Sequence, residues 1–146
     1  MSDAGGDAWL KAAADWMTAN GFGDRLVLDT TSRVLTDEKN VLGYYSWGSN
    51  DPAITVRTFG FGFVPGAIAG MFVSSDARTF KEPPAAWTVG SWTDKPKFFA
   101  NSPQSLSADL TRQGVTGLDG HAAGAHARPP NRPQPPLPAV PPRLHT

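Results

Sequence analysis

The chain of 146 residues contains no cysteine and three histidines, His121, His126 and His145, all close to its carboxyl end. The absence of cysteine excludes disulfides, thiolate metal sites and thiol nucleophiles. We expect the histidines to lie in a tail outside the folded domain, so the domain is predicted to lack a Ser-His-Asp triad, a histidine-ligated zinc ion and a histidine base. The sequence therefore predicts no metal site and no cofactor, and it identifies no catalytic residue.

An excess of either charge is also missing, because 13 Lys and Arg balance 13 Asp and Glu. Nucleic-acid binding usually needs a positive excess, so bulk charge argues against DNA or RNA as the main partner. The most apolar stretch, residues 59–73, is interrupted by Pro65 and four glycines, which is not the pattern of a membrane helix. The amino-terminal residues lack the basic and apolar regions of a secretory signal. We expect a protein without a membrane partner, located in the cytosol or in an assembly made there.

Proline is concentrated in one part of the chain, with eight of the fourteen prolines between Pro129 and Pro142. From residue 115 onward few large apolar residues remain, so burial cannot offset an ordering cost of about 1–2 kcal/mol per residue. We predict a globular domain at residues 1–114 and a disordered Pro/Ala/Arg/His-rich tail at residues 115–146. The P-x-x-P spacing in the tail fits ligands of SH3-like grooves, although GC-rich codons supply the same composition without any selected role.

Hydrophobic spacing predicts one amphipathic helix at the start of the chain. Asp7 can cap it, Trp9, Trp16 and Met17 share one face, and Asn20-Gly21 is a stop signal. Short β-like runs follow, with residues 53–59 the clearest strand by alternation. Other predicted elements are strands at residues 41–47, 61–64, 67–73 and 87–92 and a short helix at residues 105–113.

The connections between these runs look too short for parallel crossovers. We therefore predict an α+β fold with the N-terminal amphipathic helix packed on a small antiparallel sheet, followed by the disordered tail. The predicted core consists of Trp9, Trp16, Ile54, Val56, Phe61 and Phe63.

Three phenylalanines alternate with glycine in Phe59-Gly60-Phe61-Gly62-Phe63-Val64. The segment from Gly60 to Val64 resembles the core of the RNP1 motif of RNA-recognition domains, whose aromatic side chains stack on bases. The resemblance implies single-stranded RNA binding through Phe59, Phe61 and Phe63. The same alternation also fits a core-facing stripe with glycines that admit close packing, and we favour that interpretation.

A second local likeness lies in Leu28-Asp29-Thr30-Thr31-Ser32-Arg33. This segment resembles a short turn in lambda-type phage head-decoration proteins, and the resemblance implies a role in assembly. The same residues also form a common type of turn, because Asp, Thr and Ser side chains bond to their own backbone.

Aromatic side chains near predicted strand ends are the main candidates for a contact surface, since such residues often anchor protein interfaces. They are Tyr44, Tyr45, Trp47, Trp87 and Trp92. The leading hypothesis is a non-enzymatic protein-binding or assembly module that contacts a protein partner or a second copy of itself. One alternative is a carboxylate-only hydrolase acting on carbohydrate, with Asp29, Asp51 and Asp76 as nominal candidates. The other is single-stranded RNA binding through the RNP1-like segment.

Overall fold

The computed structural model describes residues 4–122. These residues form helices α1 (Ala4–Met17) and α2 (Ser107–Arg112) and strands β1 (Lys39–Ser46), β2 (Gly62–Met71) and β3 (Gly117–Asp119). The predictions of helices near residues 7–20 and 105–113, and of strands at residues 41–47, 61–64 and 67–73, correspond to α1, α2, β1 and β2. The prolines and P-x-x-P motifs of the predicted tail lie outside the described residues.

All three strands are parallel and lie side by side in the order β1-β2-β3. Ile68 of β2 pairs with Gly43 of β1 on one side and with Gly117 of β3 on the other. The prediction of an antiparallel sheet is therefore wrong. Several of the short β-like runs are not strands but parts of the two crossover connections, residues 47–61 and 72–116, which contain little regular structure.

Residues 53–59, the clearest predicted strand, belong to the first of these connections. Ile54 and Phe59 are buried, but Val56, assigned to the core, is 46% exposed, so burial does not follow the alternation of this run. Residues 87–92, also predicted as a strand, belong to the second connection, where Val89 is buried. Both segments reach the core at single positions and form no strand.

The main hydrophobic core lies on one face of the sheet. Buried side chains from the sheet meet side chains from both connections and from α2. They are Ile54, Phe59, Phe61, Ala69, Met71, Val73, Val89, Leu110 and Val115.

Packed structure continues past residue 114, where the predicted domain ends. Val115 is buried, β3 pairs with β2, and Leu118 packs against the core. Composition alone does not predict this short strand, because one valine and one leucine among small residues are enough to fill its place beside β2.

Helix α1 does not cover the sheet as predicted. Trp9 and Trp16, both assigned to the core, have 71% and 59% of their surface exposed. The helix contacts the body through its first turns, where Asp7 accepts a hydrogen bond from the indole Nε1 of Trp47 at 2.8 Å. A Cβ atom at Gly6 would lie 2.5 Å from the Trp47 ring, so the absence of a side chain there permits this contact.

Arg78 holds the second connection together from within. All five of its N–H donors are placed to bond to backbone carbonyl oxygens at 2.8–3.3 Å. The acceptors are Ser75, Phe99, Ser102, Gln104 and Ser105. Burial lowers the pKa of Arg78 to about 10, so the guanidinium still carries its charge at neutral pH.

Gly48, which follows β1, provides a test of this packing. Its φ is +53°, and a Cβ atom there would lie 2.6 Å from Cγ2 of buried Val73. We expect Gly48→Ala to lower the free energy of unfolding by about 2–4 kcal/mol, because left-handed strain adds to overpacking. Urea denaturation followed by tryptophan fluorescence measures this loss.

Gly66 of β2 is the matched control, since its φ is +88° but a Cβ atom added there would have no neighbouring atom within 4 Å. Gly66→Ala should cost only the strain, about 1–2 kcal/mol. Equal losses for the two variants would contradict tight packing around Gly48.

Candidate functional site

The face of the sheet opposite the core is largely uncovered within residues 4–122. Ile68 of β2 is 64% exposed and Tyr45 of β1 is 40% exposed. Parallel sheets in proteins normally have both faces covered, so an exposed apolar face is unusual for this topology. We call the surface formed by Trp9, Tyr45, Trp47, Ile68 and Phe72 the open face.

Phe72 is the centre of the aromatic part of the open face. Its ring centroid lies 4.7 Å from that of Tyr45, 4.8 Å from Trp47 and 6.4 Å from Trp9, all in tilted or edge-on geometries. Such geometries are favourable for aromatic pairs. A Cβ atom at Gly70 would collide with the Tyr45 ring, so glycine allows this ring to lie flat against β2. The four rings therefore form a preorganised ledge.

Negative charge lies beside this ledge. Burial raises the pKa of the Tyr45 phenol, and the carboxylates of Asp119 and Asp76 raise it further. Tyr45 is therefore a neutral hydrogen-bond donor at physiological pH, and Asp119 at the end of β3 is exposed. The open face thus combines partly exposed apolar side chains with one exposed carboxylate, Asp119, at its border.

Only two of the five aromatic residues predicted from sequence, Tyr45 and Trp47, lie on the open face. Tyr44 points to the opposite side, where its ring packs edge-on against Phe61 at 5.1 Å. Its hydroxyl donates a hydrogen bond to Ser46 Oγ at 2.7 Å, and burial raises its pKa to about 12.

Trp87 and Trp92 lie in the second connection. The indole of Trp87 donates a hydrogen bond to the carbonyl oxygen of Lys97 at 2.7 Å, and Trp92 packs against Phe98. The structure therefore does not bring the five residues together into one surface.

Three members of the open face were not predicted as contact residues: Trp9, Ile68 and Phe72. The sequence of β2 does contain a pattern that could have indicated Ile68 and Phe72. Ala67, Ala69 and Met71 face the core, so the alternate positions, Ile68, Gly70 and Phe72, must face the other side of the sheet. Trp9 could be assigned to this surface only once the position of α1 was known.

The phenylalanines of the RNP1-like segment lie in or against the core. Phe59 and Phe61 are buried and stack on each other at 5.5 Å, and Phe63 packs edge-on against Phe61 at 5.8 Å. Stacking on a base requires an accessible ring face, which the buried pair does not offer. Their arrangement is that of a core stripe.

The three nominal carboxylates are engaged locally. Asp29 accepts hydrogen bonds from Thr31, which lower its pKa, and Asp51 accepts one from the amide of Ala53 at 2.9 Å. Asp76 is fully buried. In the part of the chain that the structure describes, no three His, Cys, Asp or Glu side chains are grouped as metal ligands would be.

Asp76 binds the segment that follows β3. Its Oδ2 accepts a hydrogen bond from Ser107 Oγ at 2.6 Å, and its Oδ1 accepts one from the amide of His121 at 2.7 Å. The amide of Ala77 in turn donates to the His121 carbonyl oxygen at 3.0 Å. His121, assigned to the tail by composition, thus lies at the edge of the packed body.

This trio of Ser107, Asp76 and His121 is not arranged as a nucleophilic triad. In such a triad the serine hydroxyl bonds to the imidazole, whereas here it donates to the carboxylate. Ser107 is also buried, so no substrate reaches its oxygen. Asp76 instead fixes the position of the chain that follows β3, and we call Asp76 with its hydrogen bonds to Ser107 and His121 the Asp76 clasp.

The carboxyl ends of parallel strands often carry ligand sites, but here the chain itself fills that edge. Residues 102–107 are all buried. Ser49 and Ser105 exchange hydrogen bonds between their amides and hydroxyls at 2.9–3.0 Å. Gln104 accepts from Ser75 Oγ at 2.7 Å and donates to Asn50 Oδ1 at 3.1 Å. These polar groups satisfy one another and leave little capacity for a ligand.

A separate ion-pair cluster ties α2 to the first connection. Arg57 binds both oxygens of buried Asp109 at 2.7 and 3.1 Å and also contacts Glu82 at 2.8 Å. Arg112 contacts Glu82 at 2.6 Å and Asp109 at 2.9 Å, closing the cluster. The hydrogen bond from Arg57 lowers the pKa of Glu82.

Comparisons with protein-family models, with curated proteins and with solved structures found no match. No helix within residues 4–122 is long and apolar enough to cross a membrane.

The Asp76 clasp predicts a local effect at the end of β3. Asp76→Asn places the amide NH₂ group against one of the two existing donors, the Ser107 hydroxyl or the His121 N–H. We expect this variant to lose about 2–3 kcal/mol in the free energy of unfolding. Faster hydrogen exchange at the amides of Ala77 and His121 should accompany it. Ser107→Ala removes only one bond and should cost less, so an equal or larger loss for Ser107→Ala would argue against the clasp.

The ion-pair cluster predicts a pH dependence. The lowered pKa of Glu82 means that its contribution to stability is present above its ordinary value of 4.5 and is lost as pH falls through the folded-state value. Wild type should therefore be more stable than Glu82→Gln at pH 7, and the difference should shrink as the pH falls below 4.5. Urea titrations across this range measure it, and Glu38→Gln, an exposed site outside the cluster, should show no such difference.

Proposed function

We propose that this chain is a non-enzymatic protein-binding or assembly module whose contact surface is the open face. The observation that carries the proposal is the exposure of Tyr45 and Ile68 on one side of a parallel sheet. Burial of exposed apolar surface stabilises association by about 25 cal/mol per Å², and aromatic side chains dominate most interfaces. The ledge around Phe72 has the composition of an interface centre.

Preorganisation supports the same role. The rings of Tyr45 and Trp47 already pack against the ring of Phe72, so binding does not have to order them from free rotamers. Trp47 is fixed further by its hydrogen bond to Asp7. A surface of this kind loses little side-chain entropy when a partner covers it.

The partner in this proposal is a protein or a second copy of the chain, not a membrane or a nucleic acid. Phe59 and Phe61 are packed inside, and the acidic border at Asp119 would repel a phosphate backbone. A cytosolic location, or an assembly built in the cytosol, is part of the same proposal.

A matched pair of variants tests the open face. Ile68→Lys introduces a charge on it, whereas Phe80→Lys introduces one at a site of nearly equal exposure (64% against 62%) in the second connection. A displayed peptide library is panned on the full chain, and self-association is measured by sedimentation velocity. Because a central interface position is charged, Ile68→Lys should weaken any binding by at least about tenfold, and Phe80→Lys should leave it unchanged.

Two outcomes would contradict the proposal. One is a full chain that stays monomeric and enriches no peptide even when Pro135, Pro138 and Pro141 are replaced by serine. The other is binding that Ile68→Lys and Phe80→Lys weaken equally, because the contact surface would then not be the open face.

A further inference from the structure

The chemistry of the open face indicates the class of segment that it binds, and this inference rests on the proposed function. Polyproline II segments dock on surfaces lined by aromatic rings. Such segments are already extended when free, so they lose little conformational entropy on binding. The ledge of Tyr45, Trp47, Phe72 and Trp9 is a surface of this type.

The chain carries a segment of matching chemistry outside the described residues. Between Pro129 and Pro142 it has eight prolines, and Pro135, Pro138 and Pro141 recur at every third position. A polyproline II helix has about three residues per turn, so these three prolines would share one edge. That edge would present a row of rings to the ledge.

The point at which the described chain ends puts this segment within reach. His121 is held against Asp76 at the carboxyl edge of the sheet, and Phe72 and Trp47 follow β2 and β1 at that same edge. Six residues lie between position 122 and Pro129, and the seven steps from one to the other span up to about 23 Å. The width of three strands is about 10 Å, so the segment can turn back onto the open face without strain.

Charge favours the same placement. Residues 4–122 carry ten Lys and Arg and twelve Asp and Glu, a net charge of −2. Residues 123–146 carry three arginines and no acidic residue, a net charge of +3. Exposed Asp119 borders the open face, where arginines flanking the prolines would find a partner.

We propose that residues 129–142 occupy the open face of the same molecule as a polyproline II segment. The tail then competes with external partners for the ledge, and those partners present proline-rich segments of their own. Because the tail is tethered to the domain, its effective concentration at the ledge exceeds the concentration of most free partners, so it binds there first.

Paramagnetic relaxation tests this directly, because a chain without cysteine accepts a single label cleanly. Ala139→Cys in the full chain is labelled with a nitroxide, and signals are compared between oxidised and reduced states. The Trp47 indole N–H and Ile68 signals should lose intensity. The Trp87 indole, in the second connection, should keep its intensity.

The matched control carries the same label and replaces Pro135, Pro138 and Pro141 by serine. These changes lie outside the described fold, so they do not threaten its stability. Loss of the broadening at Trp47 and Ile68 in this variant is expected, and retained broadening would overturn docking through the proline edge. Ile68→Lys should also abolish the broadening, with Phe80→Lys unchanged and circular dichroism confirming that both variants fold.

Two results would overturn the inference without touching the proposed function. Undiminished Trp47 and Ile68 signals would show that the tail is elsewhere. Broadening that arises only between labelled and unlabelled copies in a mixture would show that the tail binds another molecule. In both cases peptides that depend on Ile68 would still support the open face as a binding surface, whereas their absence as well would remove the proposed function.

Discussion

Both crossover connections lie on the same side of the parallel sheet, and the other features of the molecule depend on this arrangement. Parallel neighbours cannot be joined by a tight turn, so the chain must return across a face between strands. When strands are added in one direction, as in the order β1-β2-β3, crossovers of constant hand all return across the same face. Core residues accordingly come from both connections, including Ile54, Phe59, Val89 and Leu110. On the opposite face Trp9 of α1 packs against Phe72, while Tyr45 and Ile68 remain exposed.

Covering a sheet with irregular chain creates a second requirement, because buried backbone groups outside helices and strands need partners. Arg78 supplies five donors to carbonyl oxygens, and Asp76 accepts from Ser107 and His121. Arg78 and Asp76 are of residue types that often serve in catalysis, but here their hydrogen bonds stabilise the second connection. The polar groups at the carboxyl edge of the sheet bond to one another, which is one reason why we propose the open face, and not that edge, as the contact surface.

Local features of the fold could be predicted from the sequence, and its topology could not. The spacing around Trp9 and Met17 correctly indicates a helix, and the apolar runs at β1 and β2 correctly indicate strands. The direction of the strands depends on the path of the connections, which no local pattern specifies. The alternating sequence at residues 53–59 also does not distinguish a paired strand from an unpaired loop. The site was only partly predictable. Tyr45 and Trp47 are aromatic residues near a predicted strand end, but so are half-buried Tyr44 and Trp92, which lie elsewhere. Phe72 matters through its three ring contacts, which no spacing reveals.

The short strand β3 has a consequence for the edge of the sheet. It pairs Gly117 with Ile68 and Asp119 with Gly70, and so covers one edge of β2. An uncovered strand edge is a row of backbone donors and acceptors that serves as a template for pairing with another chain. Three residues, followed directly by the hydrogen bond between the amide of His121 and Asp76, therefore shield β2 from such pairing.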